Sequence, residues 1–162
     1  AIRYPRGRAT GVPYKEALEA PSLLEVGKAE VLALGRDANL VAIGSMVVPA
    51  LECRELLKQE GISCGVVNAR FVSPLDTELM ASLLRSAPLF VLEENVSTGG
   101  LGEAVEAVAA SMPSASHGVF KMALPVAFLP HGSQEVLRQS VGLDAKSIAK
   151  RVMEAIGRKD DR

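Results

Sequence analysis

From residue 23 onward, two hydrophobic rhythms alternate along the chain. Short apolar runs bounded by Gly, Pro, Asn or Asp read as strands, and segments whose apolar positions recur every three or four residues read as amphipathic helices. The first two runs, Ala29 to Leu34 and Asn39 to Gly44, are separated by Gly35, Arg36, Asp37 and Ala38 as a hairpin-like turn. That pattern predicts an antiparallel edge strand leading into a central one. From Pro49 to Glu60, Ala50, Cys53, Leu56 and Leu57 recur at helical spacing, with Pro49 in the first turn and Gly61 as the left-handed stop. "ISCGVVNARFV" (62–72) is apolar on both alternating faces, as a strand covered on both sides must be.

The alternation then repeats. "SPLDTELMASLLRS" predicts a helix capped by Ser73 or Asp76, "APLFVLEEN" a strand, "GGLGEAVEAVAASM" a helix with Leu101, Val105 and Val108 on one face, and "GVFKMALPVAF" another strand. Two helices follow. The first runs from about Ser133 to Ser140 and is stopped by Gly142; the second is capped by Asp144 and carries Ile148, Val152, Ala155 and Ile156 as its apolar stripe. Strands alternating with helices give a three-layer α/β/α domain with a mostly parallel sheet, an antiparallel edge strand and right-handed crossovers. Residues 12–22 are Pro-flanked and mixed in polarity, so residues 1–22 are expected to form an interdomain linker segment and residues 23–162 the domain.

Composition narrows the function classes. At 162 residues one domain is expected, and 48% hydrophobic residues with 4% aromatics and no Trp predict an aliphatic core. Eighteen basic and nineteen acidic residues leave a net charge of -1, without the basic field that nucleic acid requires. No apolar run reaches the ~20 residues that span a bilayer, and no secretory leader pattern opens the chain, so a cytoplasmic location without a membrane partner is expected. Cys53 and Cys64 are too few for a closed zinc site and lie in apolar patterns, as structural thiols do.

Four features carry possible chemistry. "STGGLGEA" (97–104) joins a strand to a helix, where free N–H groups can hold an anion. Its glycines do not match G-x-G-x-x-G, and a tight turn with close helix packing is the simpler reading. Glu93 and Glu94 end a strand where α/β domains place ligands, but neighbouring strand residues face opposite ways. One is expected to cap or pair locally while the other, Glu94, meets solvent or a partner. His117 and His131 sit in Gly-containing loops with no nucleophile elbow nearby, and His131, before a helix start, is the better placed for contact. Arg6, between Pro5 and Gly7, is presented on a stiff turn suited to bidentate phosphate contact, although a solvated linker arginine has the same spacing.

"AIRYPRG" (1–7) resembles the junction between the middle and last domains of the 1-deoxy-D-xylulose-5-phosphate synthase family. The likeness continues in "VNARFVSPLD", "VLEENVSTGGLGEAV", "LPHGSQEVL" and "GLDAKSIAKRV", in the family's order and across the chain. Transketolases and the β-subunits of 2-oxo acid dehydrogenases share the fold and a looser "R…PLD" pattern, and stand as the alternative. One departure is Val126 in "LPVAF", where the family pattern has Asp, so a contact made by that carboxylate does not carry over.

The resemblance implies a transketolase C-terminal-like fold and a piece of a transferase that condenses pyruvate with D-glyceraldehyde 3-phosphate, losing carbon dioxide. The product feeds isoprenoid, thiamine and pyridoxal synthesis. It further implies that Arg6 binds the substrate phosphate, and that thiamine diphosphate and Mg²⁺ are bound by N-terminal and middle domains of the same chain in a homodimer. On that basis the domain alone is expected to be inactive and to hold no cofactor. A reading of a different class is a non-catalytic interaction module whose edge, Glu94 to Gly100, meets a partner or small ligand.

Overall fold

The computed structural model of the protein describes residues 23–112 and 117–157. Among them, the elements run β1 (Glu30–Ala33), β2 (Ala38–Ala42), a 3-10 turn (Gly44–Met46) continuing into α1 (Val47–Gln59), β3 (Cys64–Asn68), α2 (Thr77–Ser86), β4 (Leu89–Val96), α3 (Leu101–Ser111), β5 (Val119–Leu124), α4 (Gln134–Val141) and α5 (Ala145–Ala155). The strands form one sheet in the order β1-β3-β2-β4-β5. Only β1 is antiparallel to its neighbour.

The edge strand is where the hydrophobic pattern puts it, but its partner is different. β1 pairs with β3, matching Glu30 with Asn68 and Val31 with Val67, so Gly35 to Asp37 is not a hairpin turn. That segment crosses the amino end of β3 to reach β2 on its far side. Arg36 N and Asp37 N both donate to Ser63 O (3.0 and 2.9 Å), and Ser63 N donates back to Asp37 Oδ2 (2.7 Å). The crossing is tight enough that a Cβ on Gly35 would strike the Cys64 and Gly65 backbone, and one on Gly65 would strike Asn39 Oδ1. Turn chemistry predicts that the chain reverses; the two-sided burial of β3 decides which strand fills the middle.

Alternation divides the sheet between two apolar layers. Leu40, Ala42, Val66, Phe90 and Leu92 face α1 and α5, packing on Ala50, Cys53, Leu57, Ile148 and Val152. Val41, Val67, Leu89 and Val91 face α2 and α3, packing on Met80, Leu84, Leu101 and Val105. Each fully buried aliphatic side chain contributes about 1.5–3 kcal/mol, and this double burial makes β2, β3 and the first half of β4 mostly apolar on both faces. On the edge, Phe120 of β5 stacks on Phe90 with ring centroids 4.8 Å apart.

Local signals fix the helix ends. Asp76, not Ser73, caps α2: its Oδ1 accepts from Leu79 N (3.2 Å) while Oδ2 accepts from Ala29 N (3.1 Å), so one carboxylate also anchors the approach to β1. Ser133 caps α4, Gly142 ends it with φ 73°, and Asp144 Oδ1 caps α5 through Lys146 N and Ser147 N, both 3.1 Å away. Ile148 and Val152 of the expected α5 stripe are buried and Ile156 is partly so, whereas Ala155 is exposed. The expected linker, residues 1–22, lies outside the described residues.

Candidate functional site

The carboxyl ends of β2, β3 and β4 lie side by side in the sheet, and β4 carries both candidate glutamates into its last turn. Being neighbours on a strand, they point to opposite sides. Glu93 is 3% exposed; its Oε2 accepts from Leu101 N (2.9 Å) and its Oε1 from Gly102 N (2.8 Å), the first two N–H groups of α3. Helix α3 has no side-chain cap of its own, because its N-cap residue is Gly100. Glu93 supplies that cap from the strand, adding a negative charge where the helix dipole is positive. Gly100 is required by the same contact, since a Cβ there would collide with the Glu93 carboxylate. The "STGGLGEA" segment is therefore a tight turn around an internal anion.

Glu94 turns the other way into a polar network. Ser45 Oγ donates to its Oε2 (2.5 Å), Arg138 Nε to its Oε1 (2.7 Å), and Gln134 Nε2 lies 3.2 Å from both oxygens. Arg138 also donates from a terminal nitrogen to the Ser45 carbonyl (3.2 Å). The ion pair is largely sheltered, with Arg138 16% and Glu94 28% exposed. Burial pushes the Glu94 carboxyl up, but the hydrogen bonds from Ser45 and Arg138, the Arg138 charge and the Gln134 amide outweigh it and hold the group below its ordinary value. Glu94, still partly exposed, thus ties β4, the 3-10 turn and α4 together.

Other cations near these strand ends are also engaged. Arg70, two residues past β3, has φ 57°, its N–H donating to Asn68 Oδ1 (3.2 Å) and its guanidinium pairing with Glu30 on β1 (2.8 Å). Lys28, before β1, lies 3.5 Å from Glu78 and 3.9 Å from Asp76. His131 is exposed in the loop between β5 and α4, His117 is partly buried before β5, and neither is a partner of the two glutamates. Arg6 lies outside the described residues. Cys53 and Cys64 are free, buried thiols. Burial, with Cys64 adjacent, pushes the Cys53 thiol far above its ordinary value, and burial pushes Cys64 up to about 12 against the opposing Arg54 charge.

Ser45, Gln134 and Arg138 escape sequence reasoning. The available signal was on α4: Gln134 and Arg138 stand at i and i+4 of a helix in which no residue is fully buried. Ser45 carries no comparable mark. Among the described residues, no group of three or more His, Cys, Asp or Glu is placed to hold a metal ion, and no helix is long and apolar enough to cross a membrane.

Residues 27–148 match the family described as "Transketolase, C-terminal domain". The chain is 40% identical over 159 residues to a 1-deoxy-D-xylulose-5-phosphate synthase of Magnetococcus marinus, covering 97% of this chain and 25% of that protein. It is 44% identical over 153 residues to 1-deoxy-D-xylulose-5-phosphate synthase 1 of Geobacter metallireducens, covering 94% and 24%. The chain therefore spans about a quarter of the length of these relatives. Among solved structures it is similar to a split-gene transketolase described as an inactive beta4 tetramer, with TM-score 0.74 and 32% identity over 85% of this chain and 44% of that one. A transketolase mutant from Pichia stipitis shares the fold at TM-score 0.60 and 20% identity, over 82% of this chain and 19% of that one. With the family matched over most of its length and the same α/β/α architecture, this chain belongs to the transketolase C-terminal domain family.

Proposed function

We propose that the chain is the C-terminal domain of a 1-deoxy-D-xylulose-5-phosphate synthase, which joins pyruvate to D-glyceraldehyde 3-phosphate with release of carbon dioxide. The observation that carries this reading is the roughly 40% identity to synthases along almost the whole chain. In it, Arg6 grips the phosphate of glyceraldehyde 3-phosphate through two parallel charged hydrogen bonds. The geometry at the sheet edge supports this division of labour: Arg138, Arg70 and Lys28 are each held by a carboxylate, and the α3 N-terminus is filled by Glu93.

Thiamine diphosphate supplies the carbanion chemistry of the reaction. The described residues do not fit it: the helix end suited to a diphosphate already holds a carboxylate, and no metal-ligand group accompanies it. In the proposed reading the cofactor and Mg²⁺ belong to the N-terminal and middle domains, the enzyme is a homodimer, and this domain contributes Arg6 and a rigid support.

The test is a paired assay of product formation from pyruvate and glyceraldehyde 3-phosphate, on this chain and on the full-length protein. Turnover is expected only in the longer protein. There, Arg6→Ala lowers kcat/KM for glyceraldehyde 3-phosphate by about 10–150-fold, the equivalent of losing about 1.5–3 kcal/mol of charged hydrogen bonding. Full activity with phosphorylated acceptor after that substitution refutes the assignment of Arg6. The likeness to the split-gene transketolase favours a second reading, one chain of a divided transketolase. Two-carbon transfer from a ketose phosphate, with no use of pyruvate, selects that alternative.

A further inference from the structure

The groups around the Glu94 carboxylate are those an oxyanion site is built from: a hydroxyl, a guanidinium and a primary amide. They come from separate places in the chain, Ser45 from the 3-10 turn and Gln134 and Arg138 from α4, and converge at 2.5, 3.2 and 2.7 Å on the carboxylate. Arg138 is oriented independently of Glu94 by its bond to the Ser45 carbonyl. Helix α4 buries none of its residues fully, so these bonds are a principal part of what seats it on the sheet.

We propose that Ser45, Gln134 and Arg138 form a receptor for a carboxylate or phosphate, which Glu94 occupies as a built-in ligand. While Glu94 is in place, external anions are shut out. When its side chain is removed, the hydroxyl, the amide and the guanidinium lose their common acceptor and one positive charge is left uncompensated; a small oxyanion then takes the carboxylate's place and seats α4 again. This does not depend on the activity proposed above.

The experiment is a calorimetric titration of the full-length Glu94→Ala protein with inorganic phosphate, and separately with acetate, with wild type and Glu94→Ala/Arg138→Ala as baselines. Phosphate bound elsewhere appears in all three and cancels. Expected is one additional site in Glu94→Ala, at least about tenfold tighter for phosphate than any difference between the two baselines. Acetate should compete for it and raise the thermal midpoint of Glu94→Ala but not of wild type. No additional site, or an equal gain in the double variant, overturns the proposal. Should Glu94→Ala not fold unaided, refolding with acetate or phosphate against chloride becomes the readout, and failure of both oxyanions to restore folded protein overturns it equally.

Discussion

Replacing Glu93 with glutamine keeps the side chain's shape but breaks its match to α3. The carboxylate satisfies Leu101 N with one oxygen and Gly102 N with the other, at 2.9 and 2.8 Å, in a site 3% exposed. A glutamine oxygen can accept only one of these, and its amide nitrogen then faces the other N–H, donor against donor. One buried N–H left unpaired costs about 1–3 kcal/mol, and loss of the charge at the helix N-terminus adds up to about 2 kcal/mol in a sheltered geometry. The sum, about 1–5 kcal/mol, is a sizeable part of the roughly 5–15 kcal/mol that stabilises a domain. Glu93→Ala removes both acceptors and leaves a void as well, so it should be worse. Denaturant midpoints give the total, and amide exchange at Leu101 and Gly102 locates it, with acceleration of about 30-fold or more expected at those two positions. Glu103→Gln, altering an exposed carboxylate in the same first turn, is the control and should do much less. If Glu93→Gln lies within about 0.5 kcal/mol of wild type, as neutral surface changes do, the capping account is wrong.

Two further predictions concern titration and reactivity. Glu94 is held below its ordinary value of 4.5 in the folded state, so the stability it contributes is present above that value and is lost as pH falls through the folded-state value. An acid titration followed by the exchange of α4 amides should show α4 loosening there in wild type, and Glu94→Gln should remove that pH dependence; an unchanged acid limb would contradict the network's role. Cys53 and Cys64, buried and held as neutral thiols, should resist a thiol reagent at neutral pH and react together after denaturation, and rapid labelling of the native protein would contradict their core placement.

Much of this architecture was legible because it rests on local rules. Strand and helix periodicity, Asp144 and Ser133 before their helices and Gly142 after α4 all act within a few residues, and the chain follows them. The choice between Ser73 and Asp76 was not local: Asp76 also reaches Ala29 N, 47 residues away, and that contact favours it as the cap. The pairing of β1 was hidden for the same reason. A turn signal at Gly35 to Asp37 fits a hairpin or a crossing, and only the need to bury both faces of β3 separates them. Glu93 and Glu94 were found as candidates from their place at a strand end, but nothing local joins them to their partners, which lie 8 to 49 residues away.

Those partners change what the strand end means. In open α/β sheets the helix N-terminus after a strand and the polar groups around the strand's carboxyl end are where anionic ligands settle. Here one glutamate fills the first place and its neighbour the second, from opposite faces of the same strand. Pointing apart, they cannot act together as an acid and base on one bond. What they achieve is mechanical: Glu93 fixes α3 to β4, Glu94 fixes α4 and the 3-10 turn to β4, and the sheet edge is made rigid with its charges already paired. A rigid, self-neutralised edge is poorly suited to capturing a phosphate itself, because the donors that would bind one already hold carboxylates of the same chain.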